Sequence, residues 1–311
     1  MMSEYKANPV GSFQNLRERV ERLVLGGAAQ RRLTENQLTL DLPVVCDGGA
    51  AEASPKASLE GFLEFMSAAL PNGEIYLFGG VLRDLALFGR RGFCSDIDLV
   101  VEGDWHHCVP YLQSLGARRN KFGGYRLEVG GWPVDIWHAR DTWAIKNGLV
   151  CYRGISSLMQ TTILNWDAIL MNWRTRAVIA QSDYLPAIKA RVLDVVLERN
   201  PNPLGMAVRV FRHLSIKDAR KISLGAAEYL ANCTERYSFA EIHGSEIASY
   251  GNAEISLRLY RFFQIMQDFK HLDLRSRLGV ASDKLKKEGL AISYGQTAWD
   301  FEFYTSLVDV E

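Results

Sequence analysis

Cysteine is scarce in this chain of 311 residues: there are five, scattered and without a CxxC pair. An odd, widely spaced set argues against a disulfide framework and predicts a reducing, cytoplasmic location. Long apolar runs are also missing, since no segment approaches the ~18 uncharged residues of a membrane helix. The first residues lack the basic-then-apolar pattern of a signal peptide. We therefore expect neither a membrane partner nor secretion.

A net charge is absent as well, because 36 basic residues balance 36 acidic ones. Proteins whose main task is to grip nucleic acid usually carry a basic excess, since phosphate neutralisation supplies much of their affinity. The charge is nevertheless uneven: residues 186–290 hold 17 basic and 12 acidic residues, a net charge of +5. That excess fits a binding groove and solvated helix faces equally well.

The composition that remains is typical of a globular protein, with 48% hydrophobic and 23% charged residues. Such a chain buries a core, which excludes whole-chain disorder, and a length near ~300 residues suggests about two domains. Apolar residues at helical spacing predict a helix over residues 13–33, broken at Gly26–Gly27. Residues 37–57 are typical of a connector that could contain a short strand near 38–45.

A mixed region precedes a helical one. Between about 75 and 140 the patterns predict strand, helix, strand, helix and then a β-hairpin with a two-residue turn at Gly130–Gly131. From Thr142 onward helical periodicity dominates. The clearest helices are near 204–220, 224–232, 239–249 and 252–270. The predicted fold class is therefore α+β: a mixed β-sheet with flanking helices, followed by an all-α C-terminal region.

Three aspartates carry the strongest chemical signal. Asp96 and Asp98 are two residues apart on a predicted strand, so both side chains project from one face, where they repel each other unless a cation lies between them. Asp135 interrupts an otherwise apolar strand and is either a satisfied polar residue or a third ligand. Carboxylate oxygens suit Mg²⁺ or Mn²⁺, and three carboxylates on neighbouring strands are what a two-metal phosphoryl-transfer site needs.

A glycine pair precedes these carboxylates. Gly79 and Gly80 end a predicted strand and open a helix, where the backbone approaches a ligand closely and free N–H groups meet phosphate. A double glycine alone is a weak signal, because any tight turn uses it. The succession of elements is the more specific signal: a strand, Gly-Gly, a helix with Arg83 and Asp84, a strand with Asp-x-Asp, and a later strand with Asp.

The segment GGVLRDLALFGRRGFCSDIDLVV resembles the head-domain signature of the nucleotidyltransferase superfamily that includes DNA polymerase beta. The closest branch is the bacterial poly(A) polymerase and CCA-adding enzyme class, and the similarity continues through NKFGGYRLEVGGWPVDIWHARDTW. It is convincing over about 75–141 and fades by about 214. The predicted domains are an N-terminal helix and connector over 1–57, a nucleotidyltransferase catalytic (head) domain over 58–185 and a helical neck- and body-like domain over 186–311.

The resemblance also implies roles for individual residues. Asp96, Asp98 and Asp135 would be the catalytic residues and would hold Mg²⁺ or Mn²⁺. The nucleoside triphosphate would be bound by Gly79, Gly80, Arg83, Arg140, Arg209 and Arg212. Other roles stay open: Arg83 and Asp84 could form a salt bridge that braces the loop, Arg140 could pair with Asp141, and Arg209 and Arg212 could lie on a solvated helix face.

The implied reaction moves a nucleoside monophosphate from ATP or CTP to a hydroxyl, with an RNA 3′ end such as that of tRNA as the favoured acceptor. Two departures weaken the implied base selection. Thr161–Leu164 replace a charged Arg-Arg-Asp-Phe run of the family, and Pro201–Gly205 replace its Glu-Asp-x-x-Arg motif. Two rivals therefore remain: an enzyme that modifies a protein or small molecule or makes an oligonucleotide signal, and a catalytically idle binding scaffold.

Overall fold

Seven strands form the central sheet of the protein, as described by a computed structural model. The structure describes residues 7–26, 54–217, 219–253 and 256–289, together with a short strand at 302–304. The strands of the central sheet are β1 (Glu74–Phe78), β2 (Ile97–Glu102), β3 (Arg118–Arg119), β4 (Tyr125–Val129), β5 (Trp132–His138), β6 (Ile169–Asn172) and β7 (Val178–Ala180). A second sheet has β8 (Val192–Leu193), β9 (Lys221–Ser223) and β10 (Glu302–Tyr304).

The order of the central sheet is β3-β4-β5-β2-β1-β6-β7. The β2–β5 pair is parallel, and every other neighbouring pair is antiparallel. The sheet is therefore mixed, as the sequence predicted. The parallel pair has a structural consequence, because it brings Asp98, the second residue of β2, beside Asp135 in the middle of β5, while Asp96 immediately precedes β2.

Helices cover one face of this sheet and continue into the C-terminal region, apart from one short helix (Trp143–Lys146) on the opposite face. They are α1 (Phe13–Val24), α2 (Leu59–Ala68), α3 (Gly80–Phe88), α4 (Trp105–Ser114), α5 (Trp143–Lys146), α6 (Tyr184–Ala190), α7 (Pro203–Ile216), α8 (Leu224–Arg236), α9 (Phe239–Tyr250), α10 (Ser256–Asp268) and α11 (Leu274–Lys287). The main core joins alternate residues of β1, β2, β5 and β6 to the apolar faces of α1, α2 and α3 and continues into α7–α11.

The opposite face of the sheet has a smaller core. Tyr76, Phe78, Val100 and Leu170 lie on this face, where short helical turns between residues 139 and 160 cover them. Strand side chains alternate between faces, so Asp98 shares this second face with Phe78 and Val100.

Several predicted elements are confirmed. The hairpin joins β4 to β5 through Gly130 and Gly131, which both have positive φ as a tight two-residue turn requires. The four helices predicted after residue 200 are α7, α8, α9 and α10 within a few residues at either end. The first helix ends at Val24, before the glycine pair, while the connector and its expected strand near 38–45 lie outside the described residues.

The prediction of helical dominance from Thr142 onward is wrong for residues 142–183. This stretch holds one four-residue α-helix, short 3₁₀ turns and strands β6 and β7. All four residues of β6 are buried, and this strand pairs with β1 near the centre of the sheet. A strand buried on both faces shows no alternation of apolar and polar residues, so its periodicity does not distinguish it from a helix.

Helix α1 belongs to the main core. Leu16, Val20 and Leu23 are fully buried, and the Arg19 guanidinium donates to the Leu85 and Ala86 carbonyls at the end of α3. The boundaries at residues 57 and 185 remain predictions, because one continuous core runs from α1 to α11. Among the described residues, no helix is both long and apolar enough to cross a membrane.

We expect Leu16→Ala to lower the free energy of unfolding by about 2–5 kcal/mol, because it leaves a cavity where α1 packs into the core. Leu25→Ala is the matched control, since Leu25 is 57% exposed and its loss should change stability by less than about 0.5 kcal/mol. Urea denaturation followed by tryptophan fluorescence measures both. Equal effects of the two substitutions would mean that α1 is not part of the cooperative core.

Candidate active site

A row of directly opposed residues crosses the sheet at the site. Asp98 on β2 lies opposite Asp135 on β5 and opposite Phe78 on β1. Asp135 in turn lies opposite Arg126 on β4, which lies opposite Arg118 on β3. Directly opposed residues share a face, so this row places two carboxylates side by side with two guanidinium groups on one flank and an apolar ring on the other.

Asp96 is the third aspartate, and it precedes β2 by one residue. One Nη of Arg126 donates to Asp96 Oδ2 at 2.6 Å, and the other Nη lies 3.3 Å from Asp135 Oδ2. The Arg126 side chain is 53% exposed. Its guanidinium therefore bridges the loop before β2 and strand β5 at the edge of the site.

The electrostatics of the row follow from this crowding. Burial and the neighbouring Asp135 carboxylate raise the pKa of Asp98 to about 7. Burial also raises the pKa of Asp135, although the Arg126 guanidinium opposes the shift. Asp98 has no hydrogen-bonded cation of its own among the described residues, so it is the group that gains most from an added positive charge.

The donor set fits a hard divalent cation in its chemistry. Carboxylate oxygens are the ligands that Mg²⁺ and Mn²⁺ prefer, and two of the three carboxylates are in register. Within the described residues, however, no three acidic, histidine or cysteine side chains surround a common point. Arg126 explains the difference, since its guanidinium already lies between Asp96 and Asp135.

The glycine pair lies where β1 passes into α3. Gly79 has φ of +62°, a conformation that favours glycine, and the described residues give α3 no side-chain cap. The first turn of a helix has N–H groups without helical partners, which makes it suitable for binding anions. Because Phe78 lies opposite Asp98, this helix start is close to the aspartates along the chain and across the sheet.

Arg83 is the centre of a buried ionic network. It is 3% exposed, its Nε donates to Asp84 at 2.9 Å, and its Nη atoms donate to Asp167 and to Ser95 Oγ. Lys217 Nζ lies 3.0 Å from both Asp84 carboxylate oxygens. The resemblance implied a nucleotide contact for Arg83, and the structure instead gives it the bracing geometry, because every N–H that could reach a phosphate is turned into the protein.

Asp167 extends the network to the neck helix α7. Its carboxylate is 3.2 Å from Arg209 Nη2 as well as bonded to Arg83. Burial alone would raise the pKa of Asp167, but Arg83 and Arg209 together lower it below the usual value. Sequence analysis missed this residue, although a lone aspartate before the apolar run Ala168–Met171 is the same signal that singled out Asp135.

The remaining candidate arginines separate into two groups. Arg209 is partly exposed and its charge acts on Asp98, so it faces the site. Arg140 is exposed and stacks on the Tyr152 ring, while Asp141 pairs with Lys146 at 3.0 Å. The expected pairing of Arg140 with Asp141 is therefore not formed.

The nucleotide contact that the resemblance implied for Arg212 stays a prediction, and Arg212 itself is buried in an ion pair. It is 6% exposed, bonds Glu246 at 2.5 Å and Asn252 at 3.2 Å, and lies over the Tyr250 ring. His213 is buried too, and burial, together with the positive charge of Arg83, lowers its pKa to about 3. Both residues join α7 to its surroundings instead of lining a channel.

The start of α7 shows how the chain departs from the family motif. Asn202 caps the helix by accepting from the Gly205 backbone N–H at 3.0 Å. A Cβ on Gly205 would lie 2.3 Å from Asn202 Nδ2, so a side chain there requires the capping amide to shift. The Thr161–Leu164 segment likewise turns Ile163 and Leu164 into the core. Neither segment presents a charged side chain.

Residues 59–165 match the family model described as a nucleotidyltransferase domain. This range contains the glycine pair, all three aspartates and the bridging Arg126. The match confirms the resemblance to nucleotidyltransferases drawn from the sequence. No curated protein sequence matches the chain.

A solved structure of a CCA-adding enzyme shares the fold. An apo CCA-adding enzyme has 18% sequence identity and a TM-score of 0.51 over 69% of this chain and 52% of its own. A CCA-adding enzyme in complex with CTP has 19% identity and a TM-score of 0.49 over 67% and 52%. The chain thus spans about half the length of these enzymes.

In EDTA at pH 8, we expect Asp98→Asn to raise the free energy of unfolding by about 1–2 kcal/mol, because it removes a charge that burial and Asp135 disfavour. The folded pKa of about 7 exceeds the usual aspartate value, so the folded protein loses stability as pH rises through 7. The increase in the free energy of unfolding caused by Asp98→Asn should therefore be smaller at pH 5. Thermal melts at both pH values measure it, and a gain that is larger at pH 5 would contradict this account.

We expect Asp167→Asn to destabilise the fold by about 3–5 kcal/mol at pH 7, because it removes one of the two carboxylates that neutralise the buried Arg83. Asp141→Asn is the control, since its pair with Lys146 is partly exposed and worth less than about 1 kcal/mol. The lowered pKa means that the Asp167 contribution is present above about pH 4 and lost below it. Urea titrations at several pH values would refute this if the two variants behaved alike.

Proposed function

We propose that this protein is a metal-dependent nucleotidyltransferase that transfers a nucleoside monophosphate from a nucleoside triphosphate to the 3′ hydroxyl of an RNA, with tRNA as the favoured acceptor. The acceptor oxygen forms a bond to the α-phosphorus, the bond from the α-phosphorus to the bridging oxygen breaks, and pyrophosphate leaves. The observation that carries the proposal is the register of Asp98 opposite Asp135, beside the helix start at Gly79–Gly80.

Each residue of the site has a role in this reaction. Asp96, Asp98 and Asp135 would hold Mg²⁺ or Mn²⁺, which when bound would neutralise charge on the triphosphate and make the acceptor hydroxyl more acidic. The backbone N–H groups after Gly79 bind the β- and γ-phosphates. Asp135 orients the acceptor hydroxyl and accepts its proton, a task suited to a carboxylate whose pKa is raised.

Two arginines are assigned to the nucleotide. Arg209 is the cation of α7 that faces Asp98, and it balances negative charge as the triphosphate enters. Arg140 is exposed beyond the end of β5 and remains able to contact phosphate while it stacks on Tyr152. Arg83 supports the glycine turn from below and does not touch the substrate.

The RNA acceptor is supported by the shared fold with CCA-adding enzymes and by the net +5 charge of residues 186–290. We also propose a cytoplasmic location, because the four described cysteines are free thiols.

A second candidate keeps the chemistry and changes the acceptor to a protein, a small molecule or another nucleotide. The capped start of α7 favours it, since Asn202 and Gly205 offer no charged group to read a base edge. Base selection by protein side chains is therefore not carried over from the family. The transfer assay below distinguishes the two acceptor classes.

We expect the protein to transfer label from an α-³²P nucleoside triphosphate to a tRNA-sized product in the presence of Mg²⁺. Asp98→Asn and Asp135→Asn should each lower the rate at least about 10³-fold, because a lost metal ligand removes several kcal/mol of transition-state stabilisation. Each of the four labelled triphosphates is tested in turn with total RNA.

Asp141→Asn serves as the matched control, since Asp141 lies beyond β5 and pairs with Lys146. Label on protein or in a small product would establish the second candidate. Full activity of Asp98→Asn would exclude the proposed site. An absence of label with every triphosphate and acceptor, together with no thermal stabilisation by Mg²⁺ and triphosphate, would identify an idle scaffold.

A further inference from the structure

We propose that Arg126 is a positioning residue that holds the Asp96 and Asp135 carboxylates in the metal-free protein and yields its place to the divalent cation. The inference rests on the proposed function, because it takes these carboxylates as metal ligands. Arg126 does not touch the reacting atoms. It acts through the two aspartates.

The bridge has the connectivity that a bound cation would have. One guanidinium contacts Asp96 Oδ2 at 2.6 Å and Asp135 Oδ2 at 3.3 Å, and the two carboxylates come from different segments of the backbone. A metal held by Asp96 and Asp135 would compete with the guanidinium for the same two carboxylates.

The ion pairs of Arg126 with Asp96 and Asp135 can be broken at small cost. Arg126 lies on β4 and is half exposed, so solvent screens both of its ion pairs and its long side chain can turn outward without opening the core. The carboxylates pull its pKa above the ordinary arginine value, which keeps it charged at every accessible pH. The exchange is therefore one cation for another, with no proton involved.

The bridge also solves a problem of the metal-free state. Asp98 and Asp135 are adjacent in register, and Asp96 is two residues from Asp98. Without a cation these charges repel each other and favour displacement of the loop before β2. Arg126 offsets this repulsion in the metal-free protein and so stabilises that state relative to the metal-bound one.

Arg118 provides a matched control. It lies directly opposite Arg126 on β3, is exposed, and brings the same charge to the same face of the sheet. It has no described contact with the three aspartates. Arg118→Gln therefore removes an equal charge from the neighbourhood and leaves the bridge intact.

The first experiment compares thermal melts of the full chain in EDTA and in saturating Mg²⁺. Arg126→Gln should lower the melting temperature by about 1–3 °C in EDTA, where the bridge is lost, and by much less in Mg²⁺, where the bridge is already open. Arg118→Gln should cause no such difference. An equal decrease for Arg126→Gln in both conditions would mean a merely structural ion pair and would overturn the proposal.

The second experiment measures Mn²⁺ binding directly by electron paramagnetic resonance of the free ion. Because the metal no longer competes with the guanidinium, Arg126→Gln should bind Mn²⁺ about three- to tenfold more tightly than the unmodified protein. Arg126→Lys, which keeps the charge but not the two-pronged contact, should lie between them. Equal tightening by Arg118→Gln would reveal a general charge effect and overturn the proposal, as would an absence of Mn²⁺ binding.

Both measurements are independent of catalysis. A protein that shows the metal-dependent melting difference but transfers no nucleotide would retain the Arg126 exchange and refute the transferase function. Conversely, normal transfer with identical Mn²⁺ affinity in Arg126→Gln and the unmodified protein would retain the function and refute the exchange.

Discussion

The buried guanidinium of Arg83 is the interaction on which the rest of the site depends. It joins three separate parts of the chain: α3 through Asp84, the turn before β2 through Ser95, and the turn before β6 through Asp167. Asp167 and Lys217 then tie these parts to α7 and the residue that follows it. A charge buried this deeply is tolerated only with its partners in place, so the glycine turn, the aspartate strand and the neck helix hold one another in a fixed relation.

Much of the fold could be predicted from the sequence wherever local chemistry decides the structure. The Gly130–Gly131 turn, the alternation in Tyr125–Val129 and the amphipathic helices after residue 200 each carry a local signal, and all are confirmed. The strand Ile169–Asn172 could not be recognised in this way. Its side chains are buried on both faces, so only its pairing with β1 makes it a strand.

The candidate site was predictable to the same extent. The spacing of Asp96, Asp98 and Asp135 implied shared geometry, and the register of Asp98 with Asp135 agrees with it. The arginines were not separable by sequence, because Arg209 and Arg212 differ only in which side of α7 they occupy. In the structure Arg212 is buried against Glu246, whereas Arg209 pairs with Asp167. Arg126 gave no sequence signal beyond that of an outward-facing residue in an alternating strand.

The cap on α7 constrains how this protein could change in the course of evolution. A Cβ at position 205 would lie 2.3 Å from the Asn202 amide nitrogen, so a larger residue there is accommodated only if the capping side chain shifts. At position 202 the cap is kept only by another capping residue such as Asp, Ser or Thr. The two positions therefore depend on each other. A helix cap that lies outside the catalytic groups thus limits which residues can stand at the start of α7.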